Sequence, residues 1–419
     1  MAKEKTVSAS DAILAMMREI NPHAVYLSSQ VITEDDWIDT GSMVLNALIS
    51  GSLYRGIPKG KVTQFCGPSQ TFKSGFMLQI LKNAQDRGMT VVVFDSEAAI
   101  TREGAIAFGL DPEKLIYVRA KTIEGTKNDI YNFLEKIGEA GKNGEVVIAI
   151  DSLATMLAEL EIKRAKKDSD SGDMGSLAKS LKVFLRMLIN MAAETNTAVI
   201  MTNWVYDNPT EMYPSLEKHL HGGKAAVYLP TITVQLSRTL IKDDKNTAVD
   251  TDLAASQKNY SGVEIHALTV KNRLIKQYLE GKMWLSFSKG LDKYYGLLDL
   301  MRGMGVLELK GSIYYDWEGN KLGHAKKWRK DIDLWEKSLL PELEPRIKRE
   351  WSYGNKAGER DVQEDYDDSD EDESEEEEIT PKLTGLDKLK KMKKKVSSKL
   401  DELEESDHIL DSIDLYNGG

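Results

Sequence analysis

Two apolar runs constrain this chain more than any other feature of it. Val91, Val92, Val93 and Phe94, and again Val146, Val147, Ile148, Ala149 and Ile150, have no polar residue at alternate positions. A strand of that kind has no face to give to water, so helices must cover both sides of it. Helical spacing surrounds them: Ser74 to Asp86 (Phe76, Met77, Ile80, Leu81), Thr126 to Glu139 (Ile130, Phe133, Leu134, Ile137) and Leu177 to Glu194 (Leu181, Phe184, Leu185, Leu188). Strands are expected at Lys61 to Cys66, Thr90 to Asp95, Leu115 to Val118, Glu145 to Asp151, Thr197 to Thr202, Thr231 to Ser237, Glu264 to Lys271 and Met283 to Phe287. The alternation predicts an α/β fold with a mostly parallel central sheet.

At 419 residues the chain has room for two or three domains. Residues 1–39 read as an amphipathic helix (Ile13, Leu14, Met17, Ile20) followed by an extended run, Val25 to Leu27. That segment is too small for a core of its own, so it is expected to lean on the main domain or on a neighbouring subunit. The core spans 40–289, a small α/β module 290–360, and a tail 361–419. The net charge of −11 belongs to that tail, which carries 21 acidic groups against 8 lysines, while the first 360 residues carry 48 basic and 46 acidic groups. Thirteen of the 18 residues from Asp361 to Glu378 are acidic, which predicts disorder. The tail either solubilises the protein or competes as a polyanion for a basic groove, an effect that salt would weaken. No apolar run is long enough to span a bilayer. The opening MAKEKTV leads into no apolar export core, and one cysteine, Cys66, excludes an internal disulfide framework. A cytoplasmic protein is expected.

The chemistry starts at Gly67-Pro68-Ser69-Gln70-Thr71-Phe72-Lys73-Ser74, directly after an expected strand and before an expected helix. In a phosphate-binding loop, backbone N–H groups wrap the phosphates, a lysine neutralises the terminal ones and a hydroxyl joins Mg²⁺. The pattern has glycine before the lysine; here Phe72 stands there. Asp151 closes an apolar strand, where a carboxylate can hold Mg²⁺ through its water shell. Glu97, in Asp95-Ser96-Glu97, either orients and deprotonates an attacking water or caps the next helix. Together these residues make an ATP-hydrolysing site the expected reading.

Thr40-Gly41-Ser42, Gly60-Lys61-Val62, the Gly67 loop, FDSE and AIDSLA follow the order and spacing of the RecA-type recombinases, which this chain resembles over about residues 25–330. YYGLLDL and GSIYYDWEGNKLGHAKKW are similar to the region after that core, and Phe72 looks like the UvsX recombinases of bacteriophages. The resemblance implies a RecA-like ATPase that forms helical filaments on single-stranded DNA, with ATP and Mg²⁺ at each subunit interface. Such filaments pair with homologous double-stranded DNA and exchange strands. A recombination mediator and a single-strand-binding protein are further implied partners, and the host cytoplasm is the implied setting if a phage encodes it. Lys73 and Ser74 would bind phosphates and magnesium, Asp151 would support the metal, and Glu97 would position water. Lys271 and Arg273 match the basic pair that reaches a neighbour's ATP; a solvated strand end is the simpler reading.

Two segments resemble the family's DNA-binding loops. One is Lys166 to Gly175, where Met174 and Gly175 match the point at which an apolar side chain wedges between bases, followed by a helix with Lys179 and Arg186. The other is Trp204 to Lys224, with Tyr206, Tyr213, Lys218, His219, His221, Gly222 and Gly223. Aromatic and basic residues together suit base stacking and phosphate contact, although an aromatic loop also suits a protein contact. Trp204 follows Asn203 where the family has a glutamine or histidine that senses the terminal phosphate, so the resemblance implies that the coupling is rebuilt or rests on Asn203 as the residue that meets the nucleotide; Gly104 falls near the family's aromatic platform for adenine. A RecA-fold hexameric helicase and a non-catalytic DNA-binding mediator are the competing readings.

Overall fold

The computed structural model describes residues 9–21, 24–27, 33–165, 174–206, 218–242 and 260–354. All of them fall in one unit, Met1–Ala357. The expected tail, 361–419, lies outside the described residues.

Nine strands build the central sheet: β1 (Val62–Cys66), β2 (Thr90–Asp95), β3 (Leu115–Arg119), β4 (Val146–Asp151), β5 (Ala198–Asn203), β6 (Ile232–Lys242), β7 (Tyr260–Asn272), β8 (Glu280–Ser286) and β9 (Gly290–Leu291). Their order is β9-β8-β7-β6-β1-β5-β4-β2-β3. From β6 through β3 every pairing is parallel, and the other three are antiparallel. The mostly parallel sheet is therefore as expected, with an antiparallel extension on one side. Strands β6 and β7 outrun the expected bounds because, past Ser237, each sustains the other's ladder, from Arg238 opposite Ile265 to Ile241 opposite Gly262.

The non-alternating strands do bury both faces. Val91, Val93, Val147 and Ala149 face one core, shared with Phe76, Met77, Ile80 and Leu81. Val92, Phe94, Ile148 and Ile150 face the other, with Ile130, Leu134, Phe184, Leu185 and Leu188. Helix α1 (Ala9–Ile20) precedes the core, α2 (Met43–Ser50) and α3 (Lys73–Asp86) serve its first face, and α4 (Ile123–Glu139) and α5 (Met174–Glu194) its second. Side-chain caps set their starts: Ser42 accepts from the Leu45 N–H, and Thr122 from the Gly125 N–H at 3.0 Å.

The module after residue 290 holds a helix, α6 (Leu297–Gly303), a three-stranded antiparallel sheet and a last helix, α7 (Leu340–Trp351). Its Met301, Val306, Leu307, Leu343 and Ile347 join the same buried cluster as Val44 and Leu48 of α2, so this module shares the first core.

At the other end the expectation divides. The amphipathic helix is present as α1, but Val25 and Tyr26 form no strand, because an extended run needs a ladder partner and none lies among the described residues. The apolar face of α1 does not lean on the main domain either: Ile20 is 79% and Ile13 66% exposed. No helix among the described residues is long and apolar enough to cross a membrane.

Candidate nucleotide site

The carboxyl ends of four adjacent parallel strands, β1, β5, β4 and β2, deliver Gly67, Asn203, Asp151 and Asp95 to one rim of the sheet. That rim is where open parallel sheets bind ligands, because each connection there leaves a strand end and turns away. Gly67 has to be glycine: a Cβ would stand 2.5 Å from the Leu236 carbonyl oxygen. The loop then closes on itself, with the Thr71 hydroxyl donating to the Pro68 carbonyl at 2.9 Å. Lys73 opens α3 and folds back, donating from Nζ to the Gly67 and Pro68 carbonyls at 2.9 and 2.7 Å. Burial holds its pKa below the usual lysine value, while nearby Asp151 and Glu97 pull it upward. A bound polyphosphate would replace two neutral carbonyls with the anions such a cation needs.

Asp151 is 2% exposed and burial raises its pKa, partly offset by the Thr202 and Ser74 hydroxyls. Its Oδ1 accepts from Thr202, whereas Oδ2 is buried with no hydrogen-bond partner among the described residues. A lone carboxylate oxygen beside the Ser74 hydroxyl fits a hydrated divalent cation, whose waters would supply the missing donors. Glu97 is exposed, and its Oε1 accepts from the Ser152 hydroxyl at 2.7 Å. It does not cap the next helix: Thr101 does, accepting from the Gly104 N–H at 3.0 Å.

Asp95 holds the turn that carries Glu97, a role the sequence reading missed. Its carboxylate accepts the N–H groups of Glu97, Ala98 and Ile100 at 2.8, 2.8 and 3.0 Å, and the Tyr117 hydroxyl at 3.2 Å. Ser96 joins this turn to the Asp151 strand, donating to the Ser152 carbonyl at 2.7 Å and accepting the Ser152 N–H at 2.8 Å. Replacing Asp95 with alanine leaves these four donors without their acceptor. A loss of about 2–4 kcal/mol in urea unfolding is expected.

Asn203 sits between the phosphate loop and the second aromatic loop. Its carbonyl accepts the Gly67 N–H at 3.3 Å, and its Nδ2 donates to the His221 carbonyl at 2.9 Å and to Gln64 at 3.3 Å. The amide expected to meet the nucleotide is thus engaged by protein, and Asn203 ties the two loops together. Trp204 donates its N–H to Asn203 Oδ1 and leaves its indole about half exposed. A second missed residue is Arg238, which donates to Gln70 at 2.6 Å and brings a cation of the same chain to the loop's edge.

Lys271 and Arg273 lie elsewhere. Thr233 pairs with both Gln64 and Lys271, so Lys271 stands about 10 Å back along the strands from Gly67. There both cations donate to the Tyr228 carbonyl, Arg273 at 3.0 Å. They do not face their own chain's phosphate loop. Burial, with Arg273 beside it, lowers the Lys271 pKa to about 8.

A family model described as the RecA N-terminal domain matches residues 12–292. This chain belongs to that RecA family. It is 26% identical to "Protein RecA" of Thermus aquaticus over 349 residues, 83% of this chain and 95% of that one. It is 25% identical to "Protein RecA" of a Wolbachia strain from Drosophila simulans over 348 residues, 82% and 90% of the two chains. A third RecA, from Bifidobacterium breve, is 23% identical over 363 residues, 86% of each.

Within this RecA-family chain the two candidate DNA segments are partly described. Residues 166–173 and 207–217, with Tyr213, lie outside the described residues. Met174 and Gly175 open α5, on which Lys179 and Arg186, seven residues apart, are both exposed opposite the buried Leu181, Phe184 and Leu188. The second segment is framed by a two-residue ladder, Val205–Tyr206 against His219–Leu220, with Tyr206 stacked on His219 at 5.8 Å. Gly222 and Gly223, both at positive φ, turn it into a short helix that carries the exposed Lys224, and the Lys218 N–H is held by Gln235.

Proposed function

We propose that this chain is an ATP-dependent DNA recombinase that polymerises on single-stranded DNA and exchanges strands with a homologous duplex. As a RecA-family protein it is a DNA-dependent ATPase. One observation carries the site assignment. Lys73, Ser74, Asp151 and Glu97 converge at a single rim of the sheet, and Asp151 there keeps a buried oxygen without a partner among the described residues.

Gly67 to Ser74 hold the triphosphate through backbone N–H groups and Lys73. Mg²⁺, when bound, screens the phosphate charge; Ser74 and the free Asp151 oxygen are the residues that would hold it. Glu97, anchored by Ser152, accepts a proton from the attacking water. Lys271 and Arg273, turned away from their own loop, serve the ATP of the adjoining subunit. The uncovered apolar face of α1 docks on a neighbour. Lys179, Arg186, Trp204, Tyr206, Lys218 and Lys224 contact DNA, and the Asn203 bridge relays nucleotide state to the second DNA segment. Phe72 makes the phage UvsX recombinases the branch of choice.

The test is ATP turnover with and without single-stranded DNA, followed by electron microscopy. DNA-stimulated hydrolysis and helical filaments are expected. Absence of turnover at saturating DNA would sink the recombinase reading.

A further inference from the structure

Phe72 breaks the glycine pattern of the loop, yet its backbone keeps the conformation that glycine usually supplies. Its φ is 66°, in the left-handed region, where a side chain costs about 1–2 kcal/mol. Something must hold it there. The ring packs edge-on to Phe76, with centroids 5.2 Å apart, and lies 5.9 Å from the Phe108 ring. It also fills the space beside Gly75: a Cβ on Gly75 would stand 2.2 Å from a Phe72 ring carbon. A glycine is therefore present, three residues later than the pattern expects, and its missing side chain seats the ring.

From this geometry we infer that Phe72 is a positioning residue for ATP hydrolysis, its ring locking the phosphate loop over Gly75 and fixing its spacing from Glu97. The inference rests on the ATP reading above. Phe76 belongs to α3, the helix that starts at Lys73 and Ser74. Phe108 ends the short helix Arg102–Ala107, which is joined through Thr101 and Ile100 to the Asp95-held turn that carries Glu97. The ring thus sits between the element that grips the phosphates and the element that places the water. A glycine at position 72 would keep the left-handed turn at lower backbone cost but release both contacts. The loop would then have to be ordered by the nucleotide, which weakens binding, and the Lys73 to Glu97 spacing would widen, which slows the chemical step.

The experiment uses Phe72→Gly, which completes the usual phosphate-loop pattern. If the pattern were all that mattered, this variant would bind and hydrolyse ATP at least as well as the unaltered chain. The inference expects the reverse: ATP affinity of the free protein about tenfold weaker, and kcat with single-stranded DNA also lower by about tenfold. Phe72→Tyr, which retains the ring, is expected to stay within about twofold on both. Thermal unfolding supplies a readout that needs no ATP. Gly75→Ala should lower Tm because its methyl group meets the packed ring, and the same substitution made in Phe72→Gly should lower Tm by much less, since no ring is left to meet it.

If Phe72→Gly leaves both ATP affinity and kcat unchanged, or if Gly75→Ala lowers Tm as much in Phe72→Gly as in the unaltered chain, the inference is overturned and the ATP reading stands. If the unaltered chain neither binds nor hydrolyses ATP, it is the ATP reading that fails, while the difference in Tm cost between the two backgrounds still reports whether the ring and Gly75 are matched.

Discussion

Lys73→Ala is expected to reduce DNA-stimulated ATP hydrolysis by about 10³-fold or more and to abolish strand exchange, without lowering Tm. The effect on rate is large because the ammonium group is the only buried cation among the described residues, standing between the loop carbonyls and the Asp151 and Glu97 carboxylates. Stability should not suffer, for the reason given by the direction of the pKa. Burial lowers it, so the folded chain holds this proton less tightly than the unfolded chain does. At neutral pH the charged Lys73 therefore opposes folding, and its removal keeps or slightly raises Tm. A Lys73→Ala protein that turns over ATP normally would remove the phosphate loop from the mechanism. One that fails to fold would contradict the energetic account.

The second large effect concerns the pair that faces away. Lys271→Ala/Arg273→Ala is expected to cut DNA-dependent turnover by about 10³-fold while leaving ATP binding by the free subunit unchanged, because a cation supplied across an interface acts on the transition state. Mixing distinguishes this from a local defect. Lys73→Ala subunits keep the basic pair, and Lys271→Ala/Arg273→Ala subunits keep the phosphate loop. In a mixed filament some interfaces join a sound loop to a sound pair, so two inactive proteins should regain activity together. No recovery over a range of mixing ratios would overturn the trans assignment. The pH profile gives an independent check. Lys271 in the single chain has a pKa of about 8, so its charge is lost as pH rises through that value. Neighbouring phosphates favour the cation and move the loss upward. Turnover should fall on the alkaline side above pH 8, and Lys271→Arg should flatten that limb because guanidinium stays charged.

What could be read from the chain in advance follows from how local the physics is. The double-faced burial of Val91 to Phe94 and Val146 to Ile150 leaves an uninterrupted apolar run, so the covered parallel sheet was legible before any coordinates. The loop from Gly67 to Ser74 was legible for a similar reason, because strand, loop and helix N-terminus are consecutive. Glu97 was legible only as one of two alternatives. Setting the helix cap aside required Thr101 to be seen at the helix start and Ser152, 55 residues away, to be seen against the carboxylate. The extended run at Val25 to Leu27 forms no strand within the single chain, because an extended sequence states a preference for pairing without naming its partner.

The sequence by itself determined the α/β class, the order of strands and helices along the chain, and which residues are candidates for phosphate and metal chemistry, since each depends on composition within about ten consecutive positions. Only the tertiary structure decided that Asp95 holds the Glu97 turn, that Asn203 is tied to Gln64 and His221, that Arg238 meets Gln70, and that the Phe72 ring rests over Gly75. Two of these, Asn203 to Gln64 and Arg238 to Gln70, join positions 139 and 168 residues apart in the chain. Their distances come from sheet order and register, which many residues fix jointly and no short segment encodes.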